Sequence, residues 1–178
     1  TALSQSVTTD EDTQVDITLG IIEVDGDPIT WTVGDPLFGT LSGAAPDLKY
    51  TPHENYYGPD SFTFSVHDGV SESNTATVSI TVNSVNDIPV GADDAYAVNE
   101  DTVLVTLPAE GVLVNDHDVD LPPQPLAAVL EDNVQHGTLS LYSDGTFRYT
   151  PDADFNGTDS FTYLVYDGED YSLPVTVT

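Results

Sequence analysis

The sequence predicts an all-β protein of two tandem antiparallel β-sandwiches, about seven strands in each, arranged as an extended rod. Three observations predict it: a domain-sized internal repeat, hydrophobicity that alternates with a period of two, and turn signals at short intervals. Tyr50-Thr51-Pro52 returns as Tyr149-Thr150-Pro151, and Gly58-Pro59-Asp60-Ser61-Phe62-Thr63 as Gly157-Thr158-Asp159-Ser160-Phe161-Thr162. His67-Asp68-Gly69 returns as Tyr166-Asp167-Gly168, and all three matches share an offset of 99 residues. Glu11-Asp12-Thr13 returns as Glu100-Asp101-Thr102 at an offset of only 89, so the second copy carries about ten extra residues before its middle. The 178 residues divide into repeat 1 with its linker, residues 1–88, and repeat 2, residues 89–178.

Within each repeat the strands follow from alternation. Phe62, Phe64 and Val66 alternate with Ser61, Thr63 and Ser65; Val78, Ile80 and Val82 alternate with Thr77, Ser79 and Thr81. Phe161, Tyr163 and Val165 form the same stripe in the second copy, with Leu164 as its one apolar interruption. Such stripes are half-buried strands. Turns are marked by Asp25-Gly26-Asp27-Pro28, Asp68-Gly69, Asp144-Gly145-Thr146 and Asp167-Gly168. No segment of helical period is long enough to count, and about seven short strands per repeat make each an immunoglobulin-like sandwich. Trp31, Tyr50, Tyr56, Phe62, Phe64 and their counterparts are expected to fill the two cores. Lys49 and Arg148 each precede Tyr-Thr-Pro, which predicts a repeated contact on the outer strand face. Val175 and Val177 correspond to Ala76 and Val78 with nothing to match Ile80 and Val82, and there is no Met; the chain is expected to be an excised piece with a shortened last strand.

Charge limits the partners. There are 31 Asp and Glu against 2 Lys and Arg, a formal net charge of -29. Such a surface repels nucleic acid and anionic lipid. The hydrophobic content of 39% is too high for a disordered acidic chain. Cysteine is absent, so neither a disulfide nor a thiolate metal site braces these small domains. No apolar run reaches the length of a membrane-spanning helix, and no signal peptide is visible. Bound cations would relieve the self-repulsion, and Ca²⁺ is the expected brace.

Three acidic clusters are expected to meet where the repeats join. Glu11 and Asp12 open repeat 1; Asn86 and Asp87 lie in the linker; Asp116, Asp118 and Asp120 form an Asp-x-Asp-x-Asp run, with Asp167 after the Phe161-Thr162-Tyr163 strand. Calcium takes six to eight oxygen ligands, which carboxylates and amides supply. The four histidines, His53, His67, His117 and His136, have no ligand spacing. An EF-hand is excluded: with Asp116 first, its turn glycine falls at Leu121 and its bidentate Glu at Ala127, and in repeat 1 Pro28 takes the glycine position. Turn capping by solvated Asp is the competing reading of every one of these acids.

Taken in order, Glu-Asp-Thr, the Asp-rich loop, Tyr-Thr-Pro, Phe/Tyr-x-Gly-x-Asp-Ser-Phe-Thr, Asp-Gly and Asn-Asp-x-Pro resemble bacterial cadherin-like tandem repeats. The resemblance covers nearly the whole chain twice. It implies a calcium-binding joint in which Glu11 is the early Glu and Asn86-Asp87-Ile88-Pro89 the later part of the linker. Asp118 and Asp120 match the Asp-x-Asp loop, with Asp116 as an extra candidate, and Asp167 the Asp before Gly. Asn83 and Ile88 depart from the family's linker, which implies fewer ions per joint. Glu23, Asp25, Asp27 and Asp68 are expected to be an outer half-site in repeat 1, and Glu100 and Asp101 one in repeat 2.

The implied function is a calcium-rigidified module of a large secreted or surface-anchored bacterial protein, serving adhesion or extension. Its partners would be neighbouring repeats of the same chain, a cell-surface or polysaccharide ligand, or homophilic contacts, without membrane insertion. The alternative is a carbohydrate-binding module beside a polysaccharide-degrading or matrix protein, for which Tyr56, Tyr57, Tyr142 and Tyr171 are the candidate platform. An enzyme is not expected, since no Gly-x-Ser-x-Gly, His-Glu-x-x-His or phosphate loop is present.

Overall fold

Alternating strands of this kind bury one face only when two sheets close on each other. The computed structural model, which describes residues 1–24, 26–120 and 124–178, forms two such units, Thr1–Val85 and Asn86–Thr178. Of the expected half-site residues, Asp25 lies outside the described residues. The division falls after Val85 rather than after residue 88, because Asn86 and Asp87 bond to Asp167 and Asp120 of the second unit.

Unit 1 has seven strands: β1 Gln5–Asp10, β2 Val15–Thr18, β3 Thr30–Val33, β4 Gly39–Ala44, β5 Asp47–Pro52, β6 Gly58–His67 and β7 Ala76–Asn83. One sheet runs β1-β7-β6-β3 and the other β2-β5-β4. All pairings are antiparallel except β1 with β7, which run parallel from Gln5↔Val78 to Asp10↔Asn83. The parallel pair joins the first and last strands of the unit, a register that alternation cannot reveal. Between the sheets lie Ile17, Leu48, Tyr50, Phe62, Phe64, Val78, Ile80 and Val82, with Trp31 and Tyr56 packed at the margin.

Unit 2 repeats this plan with six strands among the described residues: β8 Leu104–Val105, β9 Ala127–Asp132, β10 Gly137–Leu141, β11 Phe147–Pro151, β12 Phe161–Tyr166 and β13 Val175–Val177. Its sheets are β13-β12-β9 and β10-β11-β8, around Val112, Phe147, Phe161, Tyr163, Val165, Val175 and Val177. The extra residues of this repeat fall between β8 and β9, where they form 3₁₀ turns at Pro108–Glu110 and Val112–Val114 and then the Asp-rich loop.

The two repeated motifs turn out to be one device. The Tyr50 hydroxyl donates to Asp60 Oδ2 at 2.8 Å, and Asp60 also accepts from the backbone N–H groups of Leu37, Phe38 and Ser61 at 3.1, 3.0 and 2.8 Å. In unit 2, Asp159 accepts from Tyr149 and from Gln135, His136 and Ser160, each within 2.9–3.0 Å. A carboxylate thereby closes the loop before β4, or before β10, onto the opposite sheet. The glycines at the start of those strands belong to the same device. A side chain at Gly39 would collide with the Tyr50 ring, and one at Gly137 would lie 2.7 Å from the Tyr149 ring.

Lys49 pairs across the strands with Asp16 at 2.7 Å. The expected repetition of this contact does not occur: the residue opposite Arg148 is Val105, and among the described residues Lys49–Asp16 is the one salt bridge. Both its partners are more than half exposed, so Lys49→Ala is expected to shift the urea midpoint by less than the equivalent of about 1 kcal/mol.

Candidate metal centre

The Asp-rich loop, the turn after β12 and the segment after Val85 each bring carboxylates or amides to one end of unit 2. Asp167 is 3% exposed. Its Oδ1 accepts from the backbone N–H groups of Glu169 and Asp170 at 2.6 and 2.7 Å, an Asx turn that Gly168 allows with φ 114°. Its Oδ2 accepts from Asn86 Nδ2 at 3.1 Å, and the same amide donates to Asp170 Oδ2 at 3.2 Å and to Asp87 O at 3.1 Å. Asp120 Oδ2 accepts from Asp87 N–H at 2.9 Å, and Asp118 Oδ1 from Asp120 N–H at 2.8 Å. Asp118 Oδ2 is buried with no hydrogen-bond partner. Burial alone would raise the Asp167 carboxyl, but the Glu169, Asp170 and Asn86 donors outweigh it and hold the group below the ordinary range. Asp167 is therefore ionised at neutral pH.

These side chains do not by themselves form a finished cage. Among the described residues, no three carboxylate or imidazole side chains converge as a metal-binding group. The donor set is nonetheless oxygen throughout, and a buried carboxylate oxygen with no partner is costly unless a cation meets it. That chemistry fits a hard divalent ion and excludes thiolate-preferring metals. Asp170 was not anticipated from the sequence. Its signal was its place three residues after Asp167, within the same turn.

The other expected ligands have different surroundings. Both oxygens of Asp116 are engaged, Oδ1 by Ala92 N–H at 2.8 Å and Oδ2 by the Tyr163 hydroxyl at 2.9 Å, beside Asp94 Oδ2 at 3.3 Å from the same hydroxyl. In unit 1, Glu11 is 5% exposed and its Oε1 accepts from Val85 N–H at 2.7 Å. Asp12 and Asp101 are turn residues with φ 54° and 55°, and they accept from Asn55 and Asp154 N–H at 3.1 Å. Asp68 caps its turn through Val70 and Ser71, as Asp167 does in unit 2, while Glu23 accepts from Gly26 N–H. Asp27 and Glu100 are exposed. Of the candidate aromatics, Tyr56 stacks on Phe38 and Tyr171 on Tyr166, while Tyr57 and Tyr142 are exposed.

The Asp94–Asp116 pair makes its own prediction. Burial, partly offset by the Tyr163 hydroxyl and reinforced by the Asp116 charge, pushes Asp94 up to about 6. The folded state thus keeps a proton that the unfolded chain releases near pH 4, so unit 2 loses stability as pH rises from about 4 to about 6. Asp94→Asn removes that loss and is expected to stabilise unit 2 at pH 7 by about 1–2 kcal/mol. Thermal melts across pH 4–8 check it; parallel profiles for both proteins would refute the assignment.

Comparison with known proteins settles the family. The Bacterial cadherin-like domain family matches residues 86–178, just over half of the chain. The chain belongs to this family. A second family, the Bacterial Ig domain, matches residues 1–81, so the cadherin-like unit follows an Ig-like one. A stretch of 43 residues is 54% identical to integrin beta-like protein C of Dictyostelium discoideum, covering 24% of this chain and 2% of that protein. Human mucin-like protocadherin EC1-2 overlays at a TM-score of 0.54 and 17% identity, over 99% of this chain and 95% of that one. Mouse cadherin-23 EC22-24 overlays at 0.55 and 18%, over 98% and 62%. These likenesses show the fold. Endo-fucoidan hydrolases of glycoside hydrolase family 107 align at TM-scores of 0.37–0.38, this chain spanning 27–33% of theirs. Cadherin-like and Ig-like domains are adhesion-type extracellular modules, typically non-enzymatic, and cadherin-like domains generally bind Ca²⁺. Among the described residues, no helix is long and apolar enough to cross a membrane.

Proposed function

We propose that the cadherin-like chain is a calcium-binding, calcium-rigidified tandem module of a large bacterial extracellular or surface protein, serving adhesion or extension. The observation that supports it best is the buried, partnerless Asp118 Oδ2, on the loop whose Asp120 accepts from Asp87 N–H, while the ionised Asp167 accepts from the neighbouring Asn86. Calcium would be held by Asp118, Asp120, Asp87 and Asp167, with Asp170 added to the expected set. The amide nitrogen of Asn86 is engaged by Asp167 and Asp170, which leaves its carbonyl oxygen as the end offered to a cation. Bound calcium supplies the positive charge that this crowd of carboxylates lacks, and it would stiffen the segment Asn86–Pro89. Glu11 and Asp12 remain candidate calcium ligands of unit 1, tested by Glu11→Gln and Asp12→Asn in the titration described next.

Extracellular calcium modules bind with dissociation constants of roughly 0.1–1 mM. At tenfold excess over such a constant, linkage adds about 1.4 kcal/mol per site. Calorimetric titration of the 178-residue chain with Ca²⁺ is expected to show saturable binding and a matching rise in melting temperature, both lost in Asp118→Ala. Calcium without effect on melting, or an Asp118→Ala chain that binds as the parent does, would overturn the reading.

A further inference from the structure

Asn156-Gly157 is the one Asn-Gly pair in the chain. This pair is the one most prone to attack by its own backbone. No side chain screens the next peptide nitrogen, and glycine takes up the backbone angles that bring that nitrogen to the amide carbon. Asn156 lies on an exposed, irregular segment between β11 and β12. Its amide nitrogen donates to Asp154 O at 3.5 Å, a bond too long to hold the side chain firmly. The position is open in unit 1 too: its counterpart Tyr57 precedes β6 and is 37% exposed.

The residues on either side of the pair are fixed. Phe155 stacks on the His136 ring, with centroids 4.5 Å and planes 16° apart, and Asp159 Oδ2 accepts from His136 N–H at 2.9 Å. Residues 155 and 159 thus both grip residue 136, and Asn156-Gly157-Thr158 bridges the two grips. Unit 1 has the same bridge. Tyr56 stacks on Phe38 at 4.4 Å and Asp60 Oδ2 accepts from Phe38 N–H at 3.0 Å, with Tyr57-Gly58-Pro59 between them. A bridge this short has no slack, so an atom added to its backbone must loosen the stack or the carboxylate.

We propose that Asn156 is a site of spontaneous deamidation that ages unit 2 and spares unit 1. The Gly157 nitrogen gives up its proton and bonds to Asn156 Cγ; the Cγ–Nδ2 bond breaks and Nδ2 leaves as ammonia with that proton, closing a five-membered imide. Water then opens the ring at either carbonyl. Opening at Cγ leaves aspartate. Opening at the Asn156 backbone carbonyl leaves isoaspartate, whose main chain runs through Cβ and Cγ and is one atom longer. That longer bridge weakens the hold of Asp159 on Gln135, His136 and Tyr149. Asp68-Gly69, Asp144-Gly145 and Asp167-Gly168 react more slowly, because their carboxylates accept backbone N–H bonds and an ionised carboxylate is a poorer electrophile than an amide. This inference does not depend on the calcium reading.

The test holds the 178-residue chain for days at mildly alkaline pH and body temperature, then maps its peptides by mass spectrometry with enzymatic methylation of isoaspartate. Asn156 is expected to convert first among the asparagines, with isoaspartate as the main product. The circular-dichroism transition of unit 2 is expected to fall by on the order of 10 °C, as losing one bond to a charged acceptor would cause. The Trp31 fluorescence transition of unit 1 stays in place. Asn156→Gln is expected to prevent both the conversion and the fall. Freshly prepared Asn156→Asp adds the charge without lengthening the backbone, and is expected to melt within about 3 °C of the parent. The proposal is overturned if Asn156 stays an amide, or if the isoaspartate-bearing chain melts as the fresh one does. It is also overturned if fresh Asn156→Asp falls as far as the aged chain, since charge alone would then explain the loss.

Discussion

Asp60→Ala unfolds unit 1 at temperatures where unit 2 stays folded. Asp60 is 7% exposed and accepts four hydrogen bonds, from Tyr50, Leu37, Phe38 and Ser61. Each bond to a charged acceptor is worth about 1.5–3 kcal/mol, and alanine leaves its donors unsatisfied. A loss of about 3 kcal/mol or more is expected, against total stabilities of about 5–15 kcal/mol for small domains. That lowers the melting temperature of a domain this size by on the order of 10–20 °C. Trp31 is the one tryptophan in the chain and packs on the unit 1 core, so its fluorescence follows unit 1 alone. Asp159→Ala should leave the Trp31 transition in place and remove the circular-dichroism transition of unit 2. Tyr50→Phe removes a single donor to this charged acceptor and costs about 1.5–3 kcal/mol. Burial would raise the Asp60 carboxyl, but the four donors outweigh it and hold the group below the ordinary range. Its contribution is thus complete above pH 4 and disappears as pH falls through the lowered folded value. An Asp60→Ala chain with an unchanged Trp31 transition would disprove this account of the repeated motif.

Asp167→Ala is expected to cost unit 2 about 2–3 kcal/mol and to abolish its response to calcium. The carboxylate holds the turn through Glu169 and Asp170 N–H and anchors Asn86, so its loss frees both the turn and the segment entering the unit. Asp68→Ala is the comparison: Asp68 caps the same turn in unit 1, where Ser71 stands in the place of Asp170. Melting each variant with calcium and with chelator separates the two effects. Turn capping alone would make both variants less stable and leave the calcium increment intact. A lost increment in Asp167→Ala only would mark Asp167 as an ion ligand.

The repeat, the strands and the two cores were legible because alternation and turn residues are local signals, each readable over a handful of positions. The hidden features all depend on pairing across long distances. Nothing local distinguishes the Asp of Gly-x-Asp-Ser-Phe-Thr from a solvated turn residue; only the fold brings Tyr50 and the backbone of Leu37 and Phe38 to it. The parallel β1–β7 pair spans nearly the whole of unit 1 and carries no pattern of its own. Asp116, Asp118 and Asp120 read as one run, yet the chain turns Asp116 inward to Tyr163 while Asp120 accepts from Asp87 N–H of the linker and Asp118 from Asp120 N–H. Spacing shows which acids are near in sequence. It does not show which of them the core will claim.

The parallel register of β1 and β7 has a mechanical consequence. These are the terminal strands of unit 1, and because they point the same way, a pull applied to the two ends drags them past each other lengthwise. The pairs from Gln5↔Val78 to Asp10↔Asn83 then share the load and must give way together, where an antiparallel pair could be peeled apart one rung at a time. Unit 1 is built to resist tension along the chain.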